Sequence, residues 1–281
     1  MKKKIAFVII ALVLLPALIS PALAQSAMQP IELVNPSFEG EYIAVPGGYV
    51  ASGWQSHYKE GTVPPLAAVG GGSNPTRRPE FKLIDAEQYP ERVADGQRAQ
   101  VAFAFYGIMD AAFSQQVEVE LGKGVQLSIE AHGWSTNSDD PNKHSGEVYV
   151  SLCIAAEGQT DPWAHGIECT RYLWTPGTYR TYYSRVVTAE AGTVTLIVMT
   201  TNKWAVKHND FYLDNAKAWI VQEGGTTPQP TQTPYPTLTP WPTPQVTPCP
   251  TCIPGGGCDY GIIREIIREE LANREPVYWP R

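Results

Sequence analysis

The sequence predicts an all-β fold, a β-sandwich or jelly roll, for the stretch from Ile31 to about Gln222. Short runs of alternating apolar and polar residues follow one another there, separated by Gly, Asn, Asp and Pro, which is the pattern of half-buried strands joined by turns. No stretch of comparable length has helical periodicity. The number and spacing of the runs therefore favour two packed sheets.

Seven runs carry this prediction: AQVAFAFYG, QQVEVEL, VQLSIEAHGW, GEVYVSLCIA, TYYSRVVTA, TVTLIVMTT and DFYLDNAKAWIV. Successive side chains of a strand point to opposite faces of the sheet. In VQLSIEAHGW this places Leu127 and Ile129 in the core, and Glu130, His132 and Trp134 on the other face. A carboxylate, an imidazole and an indole on one ribbon are typical of a solvated face with a binding role. We expect His132 and Trp134 to form the floor of a binding site.

The first 24 residues have the pattern of a secretory signal peptide. Three lysines precede an apolar stretch from residue 5 to residue 19, and the sequence Ala-Leu-Ala at residues 22 to 24 fits a cleavage site. A membrane anchor is the alternative, but Pro16 and Pro21 interrupt the apolar stretch. We therefore expect a secreted or extracellular protein, associated with a cell surface if its tail attaches there.

The chain is acidic and lacks standard catalytic motifs. Its formal charge of −7 becomes −10 once the three lysines of the leader are removed, and phosphate binding needs a basic face, so nucleic acid is not an expected partner. The sequence contains no G-x-S-x-G, no H-E-x-x-H and no phosphate-binding glycine loop. Glu130, His132, His208, Asp210 and Asp214 would form a hydrolytic pair only if folding brought them together, and we expect no enzyme.

Five cysteines in an exported chain are typical of disulfides rather than of reactive thiols. Cys153 and Cys169 lie in the globular stretch, where a bridge would close the loop AAEGQTDPWAHGIE, and two buried thiols are the alternative. Cys249, Cys252 and Cys258 lie downstream. The first two have the spacing of zinc ligands, but no fourth ligand is nearby, so disulfides are favoured, intermolecular ones included.

Composition divides the mature chain into three parts. We place the sandwich at residues 25–222 and a linker at residues 223–257, because alternating Thr and Pro cannot bury a core and favour an extended conformation. Apolar residues spaced by three and four predict a short amphipathic helix within residues 258–281. Such a helix needs a partner. We expect self-association or surface attachment through this segment, with packing against the sandwich as the alternative.

Tryptophans in loops and at strand ends are further candidate binding residues. Core packing is the default role of any one of them. Several at such positions in an exported β-sandwich favour sugar binding, because the flat C–H faces of sugar rings stack on indoles. The loop TDPWAHG, with Trp163, and the loop TNKWAVKHND, with Trp204 and His208, are predicted to form the rim, and Trp54 completes the predicted ligand-binding set.

Five segments occur in order along the chain: ELVNPSFEG, GYVASGW, DGQRAQVAFAF, FSQQVEVELGKGVQLSIEAHGW and NDFYLDNAKAWI. Together they resemble carbohydrate-binding modules of the family 4/9/22 type, which belong to the galactose-binding-like β-sandwich superfamily. The resemblance extends from about residue 31 to residue 222. It implies a jelly-roll sandwich that binds a polysaccharide or glycan.

The resemblance also implies a structural calcium ion. In that family the first and last strands meet at one edge, where carboxylates and main-chain carbonyls commonly hold calcium. Carried over to this sequence, Glu39 and Asp214 are the expected carboxylate ligands, whereas Glu41 lies outside the matched pattern. A hard cation prefers oxygen donors and would stabilise the domain by joining its two ends.

The resemblance implies a free-standing, non-catalytic binding module, since the sequence shows no glycoside hydrolase domain beside it. A structural or adhesive surface protein is the alternative, in which the sandwich and the C-terminal cysteines and helix mediate self-assembly. A glycoside hydrolase-like enzyme is the third possibility.

Overall fold

The described part of the chain is a β-sandwich. The structure, a computed structural model, describes residues 28–140 and 142–221, and these residues form two facing sheets. The predicted all-β sandwich is therefore confirmed. The predicted signal peptide, linker and C-terminal helix lie outside the described residues. Among the residues described, no helix is long and apolar enough to cross a membrane.

We call the larger sheet sheet A and the smaller one sheet B. The strands of sheet A are β1 (Gln29–Ile31), β2 (Tyr42–Val45), β3 (Gly48–Ala51), β5 (Glu80–Asp85), β6 (Arg98–Phe103), β8 (Gly124–Thr136), β12 (Arg180–Tyr183), β13 (Val187–Thr188) and β15 (His208–Val221). The strands of sheet B are β4 (Gln55–Tyr58), β7 (Asp110–Glu118), β9 (Val148–Ala155), β10 (Glu168–Cys169), β11 (Leu173–Thr175) and β14 (Thr193–Asn202). Two 3₁₀ helices, Pro65–Val69 and Pro90–Arg92, lie in the connections.

Sheet A has the order β12-β8-β15-β6-β5-β3-β2, and β1 and β13 pair with β15 and β8. Sheet B has the order β10-β9-β14-β7-β4, and β11 pairs with β9. The pairing is antiparallel except between β3 and β5, which meet in parallel at Gly48 and Phe81. A Cβ at Gly48 would lie 1.9 Å from the Phe81 carbonyl oxygen, so this contact requires glycine.

The hydrophobic core lies between the two sheets. Leu127 and Ile129 of β8 are buried in it, as their alternation predicted. The rings of Phe81 in sheet A and Phe113 in sheet B meet edge to face with their centroids 5.6 Å apart. Side chains at the alternate positions of each strand point away from this core, so each sheet has an outer face on which a site can form.

The first and last strands of the sandwich are neighbours. Ile31 of β1 pairs with Ala218 of β15. The chain leaving β1 is held by the Gln115 side chain of β7, whose Oε1 accepts from the Val34 N–H at 2.7 Å and whose Nε2 donates to the Val34 carbonyl at 2.9 Å. Both ends of the domain are thus fixed to its centre.

A disulfide joins Cys153 of β9 to Cys169 of β10, and the sulfurs are 2.07 Å apart. The two residues face each other directly in the strand pairing. The predicted bridge is therefore confirmed, and two buried thiols are excluded. It closes the loop of residues 156–167, which packs on the outer face of sheet B through Trp163 and Ile167.

Candidate functional site

The outer face of sheet A carries a continuous set of ring side chains, which we call the aromatic face. Its members come from β6, β8, β15 and the segments beside them: Phe103, Phe105, His132, Trp134, Tyr179, His208 and Tyr212. Trp134, Tyr212 and Phe103 form an apolar cluster separate from the main core. The strand register places these rings, because His132 is opposite Tyr212 in the β8–β15 pair.

Contacts between neighbouring rings run across this face. The rings of Trp134 and His208 are stacked with their centroids 4.5 Å apart, and Phe105 meets His208 edge to face at 5.3 Å. At the other end, His132 lies 5.2 Å from Tyr212 and 5.4 Å from Tyr179. The predicted residues His132, Trp134 and His208 therefore lie on one surface.

A segment between β5 and β6, residues 86–97, crosses the aromatic face, and we call it the covering loop. The Tyr179 hydroxyl donates to the Arg92 carbonyl at 2.7 Å. The N–H groups of Ala94 and Asp95 donate to Asp214 Oδ2 at 3.0 and 3.1 Å. At the C-terminal end of the loop, the Gln97 N–H donates to Glu39 Oε1 at 2.6 Å. Three side chains thus hold the loop over the sheet.

Arg92 of the covering loop lies against three rings. Its guanidinium carbon is 4.6 Å from the ring centroid of Tyr89, 4.8 Å from that of Trp134 and 5.4 Å from that of Tyr212. These distances are within the range of cation–π attraction. Arg92 Nε also lies 3.3 Å from the half-exposed carboxylate of Glu91. The guanidinium therefore covers the centre of the aromatic face and has an ion-pair partner at the surface.

Two polar side chains are buried beneath this cover. Asp210 is 7% exposed; its Oδ2 accepts from the Tyr212 hydroxyl at 2.7 Å, while its Oδ1 has no hydrogen-bond partner in the described chain. His132 is 4% exposed, and its Nδ1 is likewise unpartnered among the described residues. Burial raises the pKa of Asp210 and lowers the pKa of His132 to about 4. The imidazole of His132 is therefore neutral at pH 7.

One edge of the aromatic face is open to solvent. Phe105 is 49% exposed and lies against His208. Beside it, the exposed carboxylate of Asp139 accepts from Lys207 Nζ at 2.5 and 2.7 Å and from His208 Nε2 at 2.8 Å. These hydrogen bonds lower the pKa of Asp139. The open edge thus combines an accessible ring with a charged, hydrogen-bonding cluster.

Trp163, predicted to lie on the rim of the same site, is on the other side of the sandwich. It packs on the outer face of sheet B against a cluster that includes Ile197 and Met199. Lys59 Nζ lies 4.8 Å from its ring centroid, and burial raises the pKa of the neighbouring Asp110 to about 6. Because the core separates this face from His132 and Trp134, these residues do not form one site.

The other two predicted tryptophans have different surroundings. Trp54 is 4% exposed: its ring lies 5.3 Å from that of Phe38, and its Nε1 donates to the Asn35 carbonyl at 3.2 Å. It is a core residue and has no surface for stacking on a sugar, contrary to its place in the predicted set. Trp204, in the loop between β14 and β15, is 40% exposed and lies under Lys203 Nζ at 5.4 Å.

Sheet B also holds a histidine–serine contact that the sequence pattern did not indicate. His57 Nε2 and Ser114 Oγ are 2.8 Å apart. Burial lowers the pKa of His57, whereas the charge of Asp161 raises it. Ser114 is buried, so its hydroxyl is not accessible to a substrate. This contact does not form a serine-hydrolase site.

Glu39 and Asp214, the expected calcium ligands, both hold the covering loop. Asp214 is fully buried, and its Oδ1 accepts from the Asn215 N–H at 2.7 Å. Burial raises the pKa of Asp214 to about 6, although backbone hydrogen bonds to its carboxylate lower the pKa in part. A carboxylate has about four acceptor sites, so both residues keep free acceptor sites for a hard cation. The charge of such a cation would offset the free-energy cost of burying the charged Asp214. The donor chemistry of both residues is therefore compatible with such an ion. In the described ranges, no three His, Cys, Asp or Glu side chains form a metal-binding group.

Sequence reasoning missed several residues of the aromatic face. Tyr212 is not among the predicted residues, and Asp210 is named only as a possible member of a hydrolytic pair. Both alternate with core residues in DFYLDNAKAWIV, so their face could have been predicted from the period of two. Arg92 lies in a segment without periodicity, and only the hydrogen bonds to Asp214 and Tyr179 place it over the sheet. No local signal in the sequence marks it.

Comparison with known proteins gives similarities to solved structures alone: neither the family models nor the curated proteins match this chain. The carbohydrate-binding module TmCBM61, solved with β-1,4-galactotriose, has a TM-score of 0.43 and 16% identity, over 68% of this chain and 98% of its own. The C-terminal family 22 carbohydrate-binding module of Clostridium thermocellum Xyn10B has a TM-score of 0.36 and 10% identity, over 66% of this chain and 91% of its own.

The solved structures similar to this chain also include an enzyme. The Stig cyclase Fisc from Fischerella sp. TAU has a TM-score of 0.43 and 12% identity, over 70% of this chain and 100% of its own. Carbohydrate-binding modules, the class that the sequence resembles, are thus found beside a cyclase among the similar structures.

Proposed function

We propose that this chain binds a polysaccharide or glycan at the open edge of the aromatic face, without catalysing a reaction on it. The observation that carries the proposal is the contact of the half-exposed Phe105 ring with His208, which itself stacks on Trp134 and bonds to Asp139. A sugar ring has an apolar C–H face and a rim of hydroxyl groups. The open edge offers a partner for each.

The apolar part of the open edge is accessible and supported from below. Phe105 presents its ring to solvent, while Phe103 meets it edge to face at 5.5 Å. Aromatic rings contribute large contact areas with few rotatable bonds, so little conformational entropy is lost when a ligand stacks on them. This arrangement suits a flat sugar face.

The polar part of the open edge is held in place before a ligand arrives. Lys207 and His208 both hydrogen-bond to the Asp139 carboxylate, and the Asn137 side chain accepts from the Lys207 N–H at 3.0 Å. Trp134 below them donates from Nε1 to the Lys143 carbonyl at 3.1 Å. Preorganised polar groups lower the cost of binding. Carboxylate and ammonium groups can accept from and donate to the hydroxyls of one sugar ring.

The test is affinity electrophoresis of the full chain through gels that contain soluble plant, microbial or host polysaccharides. We expect at least one polysaccharide to retard the wild type, and Phe105→Ala to reduce the retardation about tenfold, since one stacked ring contributes roughly 1 to 2 kcal/mol. Trp174→Ala removes an exposed ring on β11 of sheet B and serves as the matched control. No retardation by any polysaccharide, or equal effects of the two substitutions, would contradict the proposal.

We further propose that Glu39 and Asp214 hold a structural calcium ion. The support is the resemblance of their sequence segments to the family pattern, and their position: Asp214 on the last strand and Glu39 near the first bind the same covering loop. When bound, the ion would supply positive charge beside a buried carboxylate and stabilise the loop. These residues would thereby act on the aromatic face through the loop that crosses it.

A further inference from the structure

We infer that the aromatic face selects glycans that carry protonated amino groups, an inference that rests on the glycan binding proposed above and specifies its ligand class. The basis is an arginine of the chain itself that already occupies a cation site on this face. A ligand ammonium group takes the place of the Arg92 guanidinium against the rings of Tyr89, Trp134 and Tyr212.

The three rings around Arg92 form a cage from separate parts of the chain. Tyr89 belongs to the covering loop, Trp134 to β8 and Tyr212 to β15. Trp134 and Tyr212 are buried and held by neighbouring rings, whereas Tyr89 is half exposed. Aromatic cages of this kind bind organic cations through the negative faces of their rings. The position of the guanidinium shows where on this face a cation is attracted.

A buried carboxylate lies below the cage. Asp210 is opposite Trp134 in the β8–β15 pair and opposite Phe103 in the β15–β6 pair. Its Oδ1 has no partner within the described residues, although a buried acceptor without a hydrogen bond is costly. An ammonium group gives up to three N–H donors, and one of them can satisfy this oxygen. The unpartnered atom therefore indicates a donor-bearing ligand.

The charge balance around Asp210 favours a ligand that replaces the positive charge of Arg92 rather than one that adds a negative charge. Burial raises the pKa of Asp210, and the charges of Arg92, His208 and Lys82 lower it. Of these, Lys82 is already paired with Glu80 at 3.1 Å. A ligand ammonium that replaces Arg92 keeps the charge of the site unchanged. A uronic acid would add a second carboxylate, and a neutral sugar would leave Asp210 without the cation that Arg92 supplies.

Arg92 can leave the cage without losing all of its partners. Its Nε lies 3.3 Å from the carboxylate of Glu91, and the Glu91 side chain is half exposed. A rotation of the Arg92 side chain toward solvent therefore retains an ion pair while it uncovers Trp134. The hydrogen bond from Tyr179 uses the Arg92 carbonyl, so this rotation does not release the covering loop.

The experiment measures binding of the full chain to a glucosamine hexamer and to an N-acetylglucosamine hexamer by calorimetry. We expect the glucosamine hexamer to bind about tenfold more tightly. Arg92→Ala empties the cage and should tighten glucosamine binding several-fold, while Asp210→Asn should abolish the preference between the two hexamers. Arg180→Ala removes an exposed arginine from β12 and is the matched control. Melting curves verify that each variant is folded, and Arg92→Ala, which alters the covering loop rather than a strand, provides a readout if Asp210→Asn does not fold.

The outcomes separate this inference from the proposed function. If the acetylated hexamer binds as tightly as the amine or more tightly, or if Arg92→Ala weakens glucosamine binding, the ligand class is overturned while glycan binding stands. If oligolysine of equal charge binds as tightly and its binding responds equally to Arg92→Ala, the site recognises ammonium groups without sugars and the inference also fails. Failure of every polysaccharide to retard the chain in the gels contradicts the proposed function itself.

Discussion

Tryptophan side chains in this molecule pack the main core in one place and support an outer face in another, and burial alone does not distinguish the two roles. Trp54 and Trp134 are both nearly inaccessible to solvent. Trp54 is surrounded by the main core, whereas Trp134 lies outside it, beneath Arg92 and His208. Substituting Trp54 would therefore act on folding, and substituting Trp134 would act on the aromatic face.

The residues of the aromatic face differ in how far the sequence predicts them. Alternation in β8 was sufficient to place His132 and Trp134 together on the outer face, because a strand fixes the side of every second residue. Trp54 lies between two strands, where alternation does not predict which face a side chain occupies. Its contact with Phe38, which lies in a different part of the chain, makes it a core residue.

Asp110 gives a prediction at the scale of one residue. Burial raises its pKa to about 6 in the folded protein, so the folded state binds a proton that the unfolded state releases at lower pH. As the pH rises from 4 to 7, the free energy of unfolding of the wild type should therefore fall relative to that of Asp110→Asn, by an amount on the order of 2 kcal/mol. Urea unfolding of both proteins at the two pH values measures this difference.

The control for Asp110 is an exposed acid. Glu120→Gln alters a carboxylate that is mostly accessible to solvent and keeps Asp110, so this variant should retain the loss of stability that the wild type shows between pH 4 and pH 7. A difference between Asp110→Asn and the wild type that does not change with pH would show that the Asp110 carboxyl titrates normally.

At the scale of elements, the covering loop connects the ends of the domain to its aromatic face. Glu39 follows β1, Asp214 belongs to β15, and both accept hydrogen bonds from the backbone of the loop. Gly96 in this loop has a φ of 72°, and a Cβ there would lie 2.2 Å from Glu39 Oε1. The loop conformation therefore depends on glycine at this position.

The strands of this fold could be predicted, but the covering loop could not. The strands recur as alternating runs, and the resemblance implied that the first and last would meet, as β1 and β15 do. The loop sequence EQYPERVADG has no period and no core face. Its path is set by the side chains of Glu39, Asp214 and Tyr179, which lie 58 or more positions away along the chain.

Calcium gives a prediction at this scale. Removing bound calcium with a chelator should lower the melting temperature of the full chain by about 5 °C, because a ligand that binds the folded state alone stabilises it. The double variant Glu39→Gln, Asp214→Asn should melt at the same temperature with and without the chelator. Differential scanning calorimetry in the two buffers measures both.

Glu41 supplies the matched control for calcium. It is an exposed acid two positions from Glu39 and lies outside the family pattern, so Glu41→Gln should respond to the chelator as the wild type does. An unchanged melting temperature of the wild type on chelation would contradict the metal proposal. It would leave Glu39 and Asp214 as anchors of the covering loop alone.

At the scale of the whole molecule, two outer faces compete for the role of binding site. The predicted floor residues lie on sheet A, and Trp163 lies on sheet B. Strands β8 and β9 are consecutive in the sequence, yet they belong to different sheets. The sheet that a strand joins depends on pairing with distant strands, which alternation within one run does not report. For this reason the sequence grouped residues that the fold separates.

The central claim is that glycan binds the aromatic face of sheet A, and hydrogen exchange of the full chain, with and without the polysaccharide that retards it most, tests it most directly. Binding should slow amide exchange in the covering loop and in residues 105–109 and 203–208, which border the open edge. It should leave exchange in residues 156–167, over sheet B, unchanged. Slowed exchange in residues 156–167 with none at the open edge would contradict the claim.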